Sequence, residues 1–128
     1  MKIALAADHA GFEEKEKLKS ELDSLGVEYT DMGTDSNASV DYPDYARKVA
    51  EAVAKGDFER GILLCGSGAG MAIAANKVPG IRSAVAWNEE IARLSREHNN
   101  TNVLALAARF TADYEIKNIV KAWLDAEF

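Results

Sequence analysis

Apolar and polar positions alternate in blocks along the chain, and these blocks predict five strands and five helices in strict succession. Short apolar runs predict strands at 2–7, 27–32, 61–65, 82–87 and 102–107. Apolar residues at helical spacing predict helices at 12–25, 43–54, 69–77 and 88–97, and a last one after Thr111. The polar segment 33–42 predicts a loop.

Several residues mark the expected helix ends. Gly26 stands where a C′ glycine would end the first helix, and Pro43 suits the first turn of the second. Thr111 can cap the last helix. The buried stripe of that helix would be Ile116, Ile119, Val120, Trp123 and Leu124. The Glu/Lys stretch at 13–21 predicts a solvated helix face.

The alternation of strands and helices predicts an α/β fold. We expect one domain, residues 1–128, in which helices cover both faces of a five-stranded parallel sheet. This is a doubly wound, Rossmann-like three-layer sandwich. Ligands of such folds bind beyond the carboxyl ends of the strands, so the loops after the first and third strands are the first candidates for a site.

Composition narrows the classes of partner. The chain has 128 residues, with 15 Lys and Arg against 21 Asp and Glu, a net charge of −6. This balance argues against nucleic acid and against anionic membranes, but a small anionic substrate remains open. A single cysteine cannot form an internal disulfide, which suits a reducing compartment. We therefore expect a cytoplasmic protein.

The strongest local signal is the glycine-rich stretch Cys65-Gly66-Ser67-Gly68-Ala69-Gly70, between the third strand and a helix. Backbone N–H groups of such a turn can hold an anion, and a helix N-terminus favours the thiolate form of a nearby cysteine. One loop could thus supply a base and an oxyanion hole. The position matches neither a dinucleotide fingerprint nor a Walker A loop. The alternative is a tight turn that binds nothing.

Two polar segments could complete a site. Asp8 and His9 follow the first strand and could bind sugar hydroxyls or phosphate, or could simply cap a helix. His98 and Asn99 precede the fifth strand, so they lie at the opposite end of the sheet from Cys65. If both ends serve one site, His98 reaches it from a second subunit, which predicts a homodimer with a shared site.

Other candidates are weaker. Arg109 follows the fifth strand and could bind phosphate, and Tyr42 could face the cleft or merely pack. No His, Cys, Asp and Glu cluster has the spacing of metal ligands, so we expect neither a metal nor another cofactor.

Taken together, the motifs resemble those of the ribose-5-phosphate isomerase B family, which includes galactose-6-phosphate and allose-6-phosphate isomerases. The matching pieces run in the family's order over the chain: Asp8-His9-Ala10-Gly11, Val40-Asp41-Tyr42-Pro43-Asp44-Tyr45-Ala46, Gly61-Ile62-Leu63-Leu64-Cys65-Gly66-Ser67-Gly68, Ala74-Ala75-Asn76-Lys77, Gly80-Ile81-Arg82 and His98-Asn99-Asn100. The resemblance implies a metal-independent aldose–ketose isomerase that works through a cis-enediolate, with ribose 5-phosphate and ribulose 5-phosphate as the first substrate pair to expect. The sequence leaves open whether the expected dimers pair into tetramers.

The resemblance also implies roles for individual residues. Cys65 would be the base, Ser67 and the loop N–H groups would hold the enediolate oxygen, and His98 would open the sugar ring. The substrate-binding residues would be Asp8, His9, Tyr42, Gly66, Gly68, Ala69, Gly70, Asn99 and Arg109. A carbon acid needs such a base together with stabilisation of the enolate charge.

Two departures from the family pattern affect the expected substrate. Ser67 stands where threonine is frequent, which keeps the hydroxyl. Family members usually continue with a Gly-Gly-Arg-His segment and further arginines that grip the phosphate, whereas this sequence stops at Phe128. The tail is missing here, or Arg109, His9 and loop N–H groups suffice, or the substrate differs. The alternatives are a hexose-phosphate or free-sugar isomerase, or a non-catalytic sugar-phosphate-binding subunit.

Overall fold

The computed structural model describes residues 1–128 and has the predicted succession of strands and helices. The strands are β1 (Lys2–Ala7), β2 (Glu28–Asp31), β3 (Arg60–Cys65), β4 (Ser83–Val85) and β5 (Val103–Ala107). The helices are α1 (Phe12–Ser24), α2 (Tyr42–Ala54), α3 (Ala69–Asn76), α4 (Glu89–Glu97) and α5 (Asp113–Asp125). The strands form one parallel sheet in the order β2-β1-β3-β5-β4. The α/β, Rossmann-like prediction is confirmed.

Helices cover both faces of the sheet because successive side chains of each buried strand point to opposite sides. On one face, Ile3 and Leu5 of β1 pack with α1, α4 and α5, and Trp123 of α5 is fully buried there. On the other face, Ala4 and Ala6 pack with α2 and α3. The central strands are therefore apolar throughout, as expected of parallel strands buried on both sides.

The helix ends agree with the sequence at Gly26 but not at Thr111. Gly26 has a φ of +69°, and its N–H donates to the Asp23 oxygen at 3.1 Å, as a C′ glycine does. The prediction that Thr111 caps the last helix is wrong. Its hydroxyl donates to the Ala107 oxygen at 2.7 Å, and Ala112 is the residue that precedes α5. The hydroxyl closes the turn after β5 instead.

The Glu/Lys stretch of α1 is not a fully solvated face as predicted. The Lys15 side chain is 0% exposed, and its Nζ lies 2.6 Å from Asp31 Oδ2 and 5.3 Å from the centre of the Phe12 ring. Lys19 also contacts the Asp31 carboxylate, at 2.7 Å. Asp31 ends β2 beside this helix, so it supplies the counter-charge that allows Lys15 to be buried.

The edge strand β4 is shorter than predicted, and a side chain of α3 occupies part of its outer side. Asn76 Nδ2 donates to the Ser83 oxygen at 2.9 Å, and the Ser83 N–H donates to Asn76 Oδ1 at 2.7 Å.

None of the helices has the length and apolar character needed to cross a membrane.

Candidate active site

Loops that follow β1, β3 and β5 meet at the carboxyl edge of the sheet. The strand register pairs Ala7 with Leu64 and Cys65 with Ala107, so the three strands end at one level. A cleft of about 320 Å³ lies above them. Its lining residues are Asp8, His9, Ala10, Tyr42, Cys65, Gly66, Ser67, Gly70, Arg109 and Phe110. The cleft includes the point between β1 and β3 where the strand order switches. From β1 the chain passes to β2 on one side of the sheet and then crosses to β3 on the other, and ligands of such folds bind at this switch point.

Cys65 lies at the floor of this cleft, and the following turn is folded back onto its sulfur. The residue is 5% exposed, and the Gly68 N–H donates to Cys65 Sγ at 3.1 Å. Gly68 adopts a φ of +76°, which an L-residue rarely takes and glycine takes without strain. A backbone N–H is thus directed at the sulfur, and α3 begins at the residue after Gly68.

The glycine-rich loop keeps several N–H groups available for a ligand. Ala69 donates its N–H to Ser67 Oγ at 3.2 Å, and Gly68 uses its own on the sulfur. Neither Gly68 nor Ala69 lines the cleft. The N–H groups of Gly66, Ser67 and Gly70 make no hydrogen bond within the chain. These unpaired donors above a buried thiol form the arrangement that can hold an oxyanion.

Asp8 orders the turn before α1 with one carboxylate oxygen and leaves the other oxygen free. Its Oδ1 accepts the N–H groups of Ala10 and Gly11, at 2.9 and 3.1 Å, so the carboxylate orders the turn that leads into α1. The other oxygen, Oδ2, makes no hydrogen bond within the chain, and the residue lines the cleft. Asp8 can therefore hold the turn and still accept a ligand hydroxyl.

His9 and Tyr42 also line the cleft, and each is held by a contact with another part of the chain. His9 Nδ1 accepts the Val40 N–H at 3.1 Å, so the neutral ring carries its proton on Nε2, which is left for a ligand. The Tyr42 ring packs so closely on Gly70 that a Cβ there would lie 2.8 Å from Tyr42 Cε1. The absence of a side chain at Gly70 therefore sets the position of the tyrosine ring.

Arg109 brings a permanent positive charge to the cleft. Its guanidinium makes no ion pair with any carboxylate of the chain, and the side chain lies across Gly66, where a Cβ would be 3.2 Å from Arg109 Cδ. Phe110 also lines the cleft, with 79% of its surface exposed. Phe110 was not predicted as a site residue, although its position directly after Arg109 was a signal. Cation, N–H donors and thiol together suit an anionic substrate.

His98 and Asn99 lie outside this cleft. They follow α4 and precede β5, at the amino edge of the sheet, and both are exposed. A single chain thus separates them from Cys65, as the order of elements led us to expect. Gly68 and Ala69 are the other two predicted residues that do not line the cleft, whereas the remaining eight do.

A larger depression, of about 630 Å³, lies at the opposite edge of the sheet. Its six lining residues are Lys2, Asp23, Gly26, Val27, Glu28 and Tyr29. It is shallow and offers no thiol, histidine or free N–H cluster, so the chemistry of this chain points to the smaller cleft. No three His, Cys, Asp or Glu side chains lie close enough to share a metal ion.

Known proteins resemble this chain in both sequence and fold. A family model described as Ribose/Galactose Isomerase matches residues 3–128. Ribose-5-phosphate isomerase B of Escherichia coli is 49% identical over 99% of this chain and 85% of its own length. D-erythrulose-4-phosphate isomerase of Pectobacterium atrosepticum is 43% identical over 100% of this chain and 85% of its own length.

A solved structure agrees with these relatives. The chain superposes on Clostridium thermocellum ribose-5-phosphate isomerase B with a TM-score of 0.98 and 52% identity, over 100% of this chain and 86% of that one. Sequence match and backbone match thus extend together over the strands and loops that form the cleft. The chain therefore belongs to the ribose/galactose isomerase family.

Proposed function

We propose that this chain interconverts ribose 5-phosphate and ribulose 5-phosphate through a cis-enediolate. The observation that carries the proposal is Cys65, a buried thiol that accepts the Gly68 N–H beneath unpaired backbone donors and beside Arg109. The relatives named ribose-5-phosphate isomerase B, at 49% and 52% identity, support the choice of a phosphopentose.

Cys65 is the base in this scheme. Its thiolate removes the proton on C2 of the open-chain aldose, and the C2–H electron pair forms the C1–C2 double bond of the enediolate. The same sulfur then returns a proton to C1, while the proton on O2 passes to O1, so atoms and charge balance. General acid–base transfer of this kind contributes about 10²–10⁴ in rate.

Backbone donors stabilise the charge that develops on the enediolate, and one cation binds the phosphate. The free N–H groups of Gly66, Ser67 and Gly70 stabilise the enediolate oxygen, with help from the Ser67 hydroxyl. Arg109 and His9 bind the phosphate, and Asp8 and Tyr42 bind sugar hydroxyls. Because these groups supply the charge stabilisation, the proposed reaction runs without a metal ion, and turnover is expected to survive treatment with EDTA.

His98 and Asn99 come from a second copy of the chain. The aldose is cyclic in solution, so before Cys65 can act a general acid–base group must protonate the ring oxygen as its bond to C1 breaks, while the C1 hydroxyl loses its proton and becomes the carbonyl. His98 of one protomer serves this purpose in the cleft of its partner, and Asn99 binds the same substrate. The protein is thus a homodimer with shared sites, and the reduced thiol that it needs fits a cytoplasmic location.

The base is tested by replacing Cys65 and following ketose formation from ribose 5-phosphate. Cys65→Ala is expected to lose about 10²-fold or more in kcat. The melting temperature and calorimetric binding of ribulose 5-phosphate should stay close to those of the unaltered protein, which controls for misfolding. Full activity in this variant would show that the sulfur is not the base.

The shared site is tested by mixing two inactive variants, Cys65→Ala and His98→Ala, under conditions of subunit exchange. Random pairing gives half mixed dimers, each with one intact site, so about a quarter of all sites should recover. No recovery after exchange has been verified by mass spectrometry would refute the two-chain site and leave the rest of the mechanism standing.

A second candidate is isomerisation of another sugar phosphate. The Pectobacterium relative, at 43% identity, is named for erythrulose 4-phosphate, and the family description includes galactose. A panel of ribose 5-phosphate, erythrulose 4-phosphate, galactose 6-phosphate and free ribose separates these activities. If any of the last three sugars has a higher kcat/KM than ribose 5-phosphate, that sugar is the preferred substrate and the first proposal is wrong.

A further inference from the structure

Two arginines hold the backbone of segment 98–102, which carries His98 and Asn99. Arg96 holds it from inside the protein. This side chain is 9% exposed, and its Nη1 donates to Asn100 Oδ1 at 3.1 Å and to the Thr101 oxygen. Asn100 takes a φ of +48°, so the chain turns sharply at this point. The inner contacts thus fix the turn between α4 and β5.

Arg82 holds the same segment from outside. It is exposed, yet its Nε–H donates to the Asn99 oxygen at 2.6 Å. Its own backbone is anchored, because the Arg82 N–H donates to Asn102 Oδ1 at 2.9 Å and the Asn102 N–H donates to the Arg82 oxygen at 2.9 Å. Asn102 Nδ2 also donates to the Gly80 oxygen, at 3.0 Å. A rigid strand entrance therefore supports the arginine.

The side chains of His98 and Asn99 are free, although Arg82 and Arg96 hold the backbone of their segment. His98 and Asn99 are both exposed, and neither side chain makes a hydrogen bond within the chain. An ordered backbone with free polar side chains has lost its conformational entropy before any ligand arrives. The two side chains therefore extend from fixed backbone positions toward a second surface, which favours both binding and proton transfer.

We propose that Arg82 is a positioning residue that presents His98 and Asn99 to the cleft of the partner subunit. The proposal rests on the shared site described above, and it adds a residue that lies outside the cleft and touches no reacting atom. It acts through the carbonyl of Asn99. Since a displacement of about 1 Å can cost roughly 10²-fold in rate, loss of this contact should lower turnover.

Arg82→Met tests this role, with Arg93→Met as the matched control. Arg93 is another exposed arginine, on α4, and its contacts go to Glu90 and Glu97 rather than to segment 98–102. We expect Arg82→Met to lose about 10–100-fold in kcat with ribose 5-phosphate. Arg93→Met should retain the activity of the unaltered protein, and Arg82→Lys should recover part of the loss.

A mixing experiment distinguishes positioning in trans from a general structural effect. When Arg82→Met is mixed with Cys65→Ala, each mixed dimer has one cleft with Cys65 intact that receives His98 from a chain with Arg82 intact. We expect recovery of about a quarter of the sites, as for random pairing of the two catalytic variants. If Arg82 served its own cleft, or only the fold, this mixture would recover nothing.

The outcomes separate this proposal from the function on which it rests. Inactivity of the unaltered protein on every sugar phosphate would refute the function. Recovery by Cys65→Ala with His98→Ala, but not with Arg82→Met, would refute the positioning role alone, as would full activity of Arg82→Met. Should Arg82→Met fail to fold, Arg82→Gln takes its place in the same mixture.

Discussion

Replacement of Gly68 by alanine tests the link between the backbone of the glycine-rich loop and the sulfur of Cys65. The residue has a φ of +76°, and an added Cβ would lie 3.1 Å from the carbonyl carbon of Leu106 and 3.2 Å from the nitrogen of Ala107. Both are backbone atoms of β5 or its end, so neither can rotate away. The loop itself must move, and its N–H moves with it.

The expected loss of stability follows from these two effects. A left-handed conformation costs an L-residue about 1–2 kcal/mol. Overpacking against fixed backbone adds about 1–3 kcal/mol. The sum of roughly 2–5 kcal/mol corresponds to a fall in Tm of about 8–20 °C, taking about 4 °C per kcal/mol for a domain of this size.

Gly26→Ala is the matched control. Gly26 has a similar φ, +69°, but an added Cβ would meet no atom within 4 Å, and the residue is far from the cleft. This variant should lose only about 1–2 kcal/mol, because it pays the conformational cost alone. Thermal unfolding followed by circular dichroism measures both variants, and the difference between them isolates the clash with β5.

The catalytic consequence is measured with ribose 5-phosphate, well below the lower Tm. Displacing the donor to Cys65 should reduce kcat by about 10²-fold in Gly68→Ala, as removal of a single oxyanion donor does, and leave it unchanged in Gly26→Ala. Equal Tm values for the two variants would show that the contact with β5 costs nothing. An undiminished kcat in Gly68→Ala would show that its N–H does not support the chemistry.

Two further predictions concern buried polar contacts. Burial alone would raise the pKa of Asp31, but hydrogen bonds from Lys15, Lys19 and a backbone N–H lower this pKa below its ordinary 3.8. The Asp31 carboxylate therefore contributes its full stabilisation above pH 3.8, and this stabilisation is lost as the pH falls through the lowered pKa of the folded protein. Asp31→Asn should therefore cost about 2 kcal/mol at neutral pH in urea unfolding, since it leaves the buried Lys15 with Glu16 Oε1, at 3.3 Å, as its one carboxylate contact. The gap from the unaltered protein should narrow as the pH falls from about 5 to about 2, and a constant gap would refute the linkage. Trp123→Phe leaves Thr101 Oγ1 without the indole N–H that reaches it at 2.9 Å, and we expect a loss of about 1–3 kcal/mol in the same assay, whereas an unchanged midpoint would mean that this hydrogen bond is energetically neutral.

The sequence predicted the elements well because their patterns are local. Buried parallel strands are apolar throughout, and amphipathic helices repeat every three to four residues, so both can be recognised in a short window. Cys65, Asp8 and Arg109 were found by the same logic, since each lies at the end of a predicted strand or within two residues after it. Their meeting in one cleft then followed from the parallel order of the sheet.

Contacts that depend on distant partners could not be predicted in this way. Lys15 is buried because Asp31, sixteen residues further along, faces it across the end of β2. The bond from Arg82 to the Asn99 carbonyl likewise depends on how β4 and β5 lie side by side. Neither spacing has a recognisable sequence pattern, so a charged helix face and an ordinary exposed arginine were the natural expectations.

The pairing of Asn76 with Ser83 limits how copies of this protein can join. The amide side chain of Asn76 takes up the outward N–H and oxygen of Ser83 as a neighbouring strand would. An open strand edge invites pairing with the edge of another molecule, and with it aggregation. Because this short edge is partly occupied from within the chain, the backbone of β4 is less open to pairing with a strand of another molecule. At this edge of the sheet, one asparagine side chain takes the place that such a strand would need.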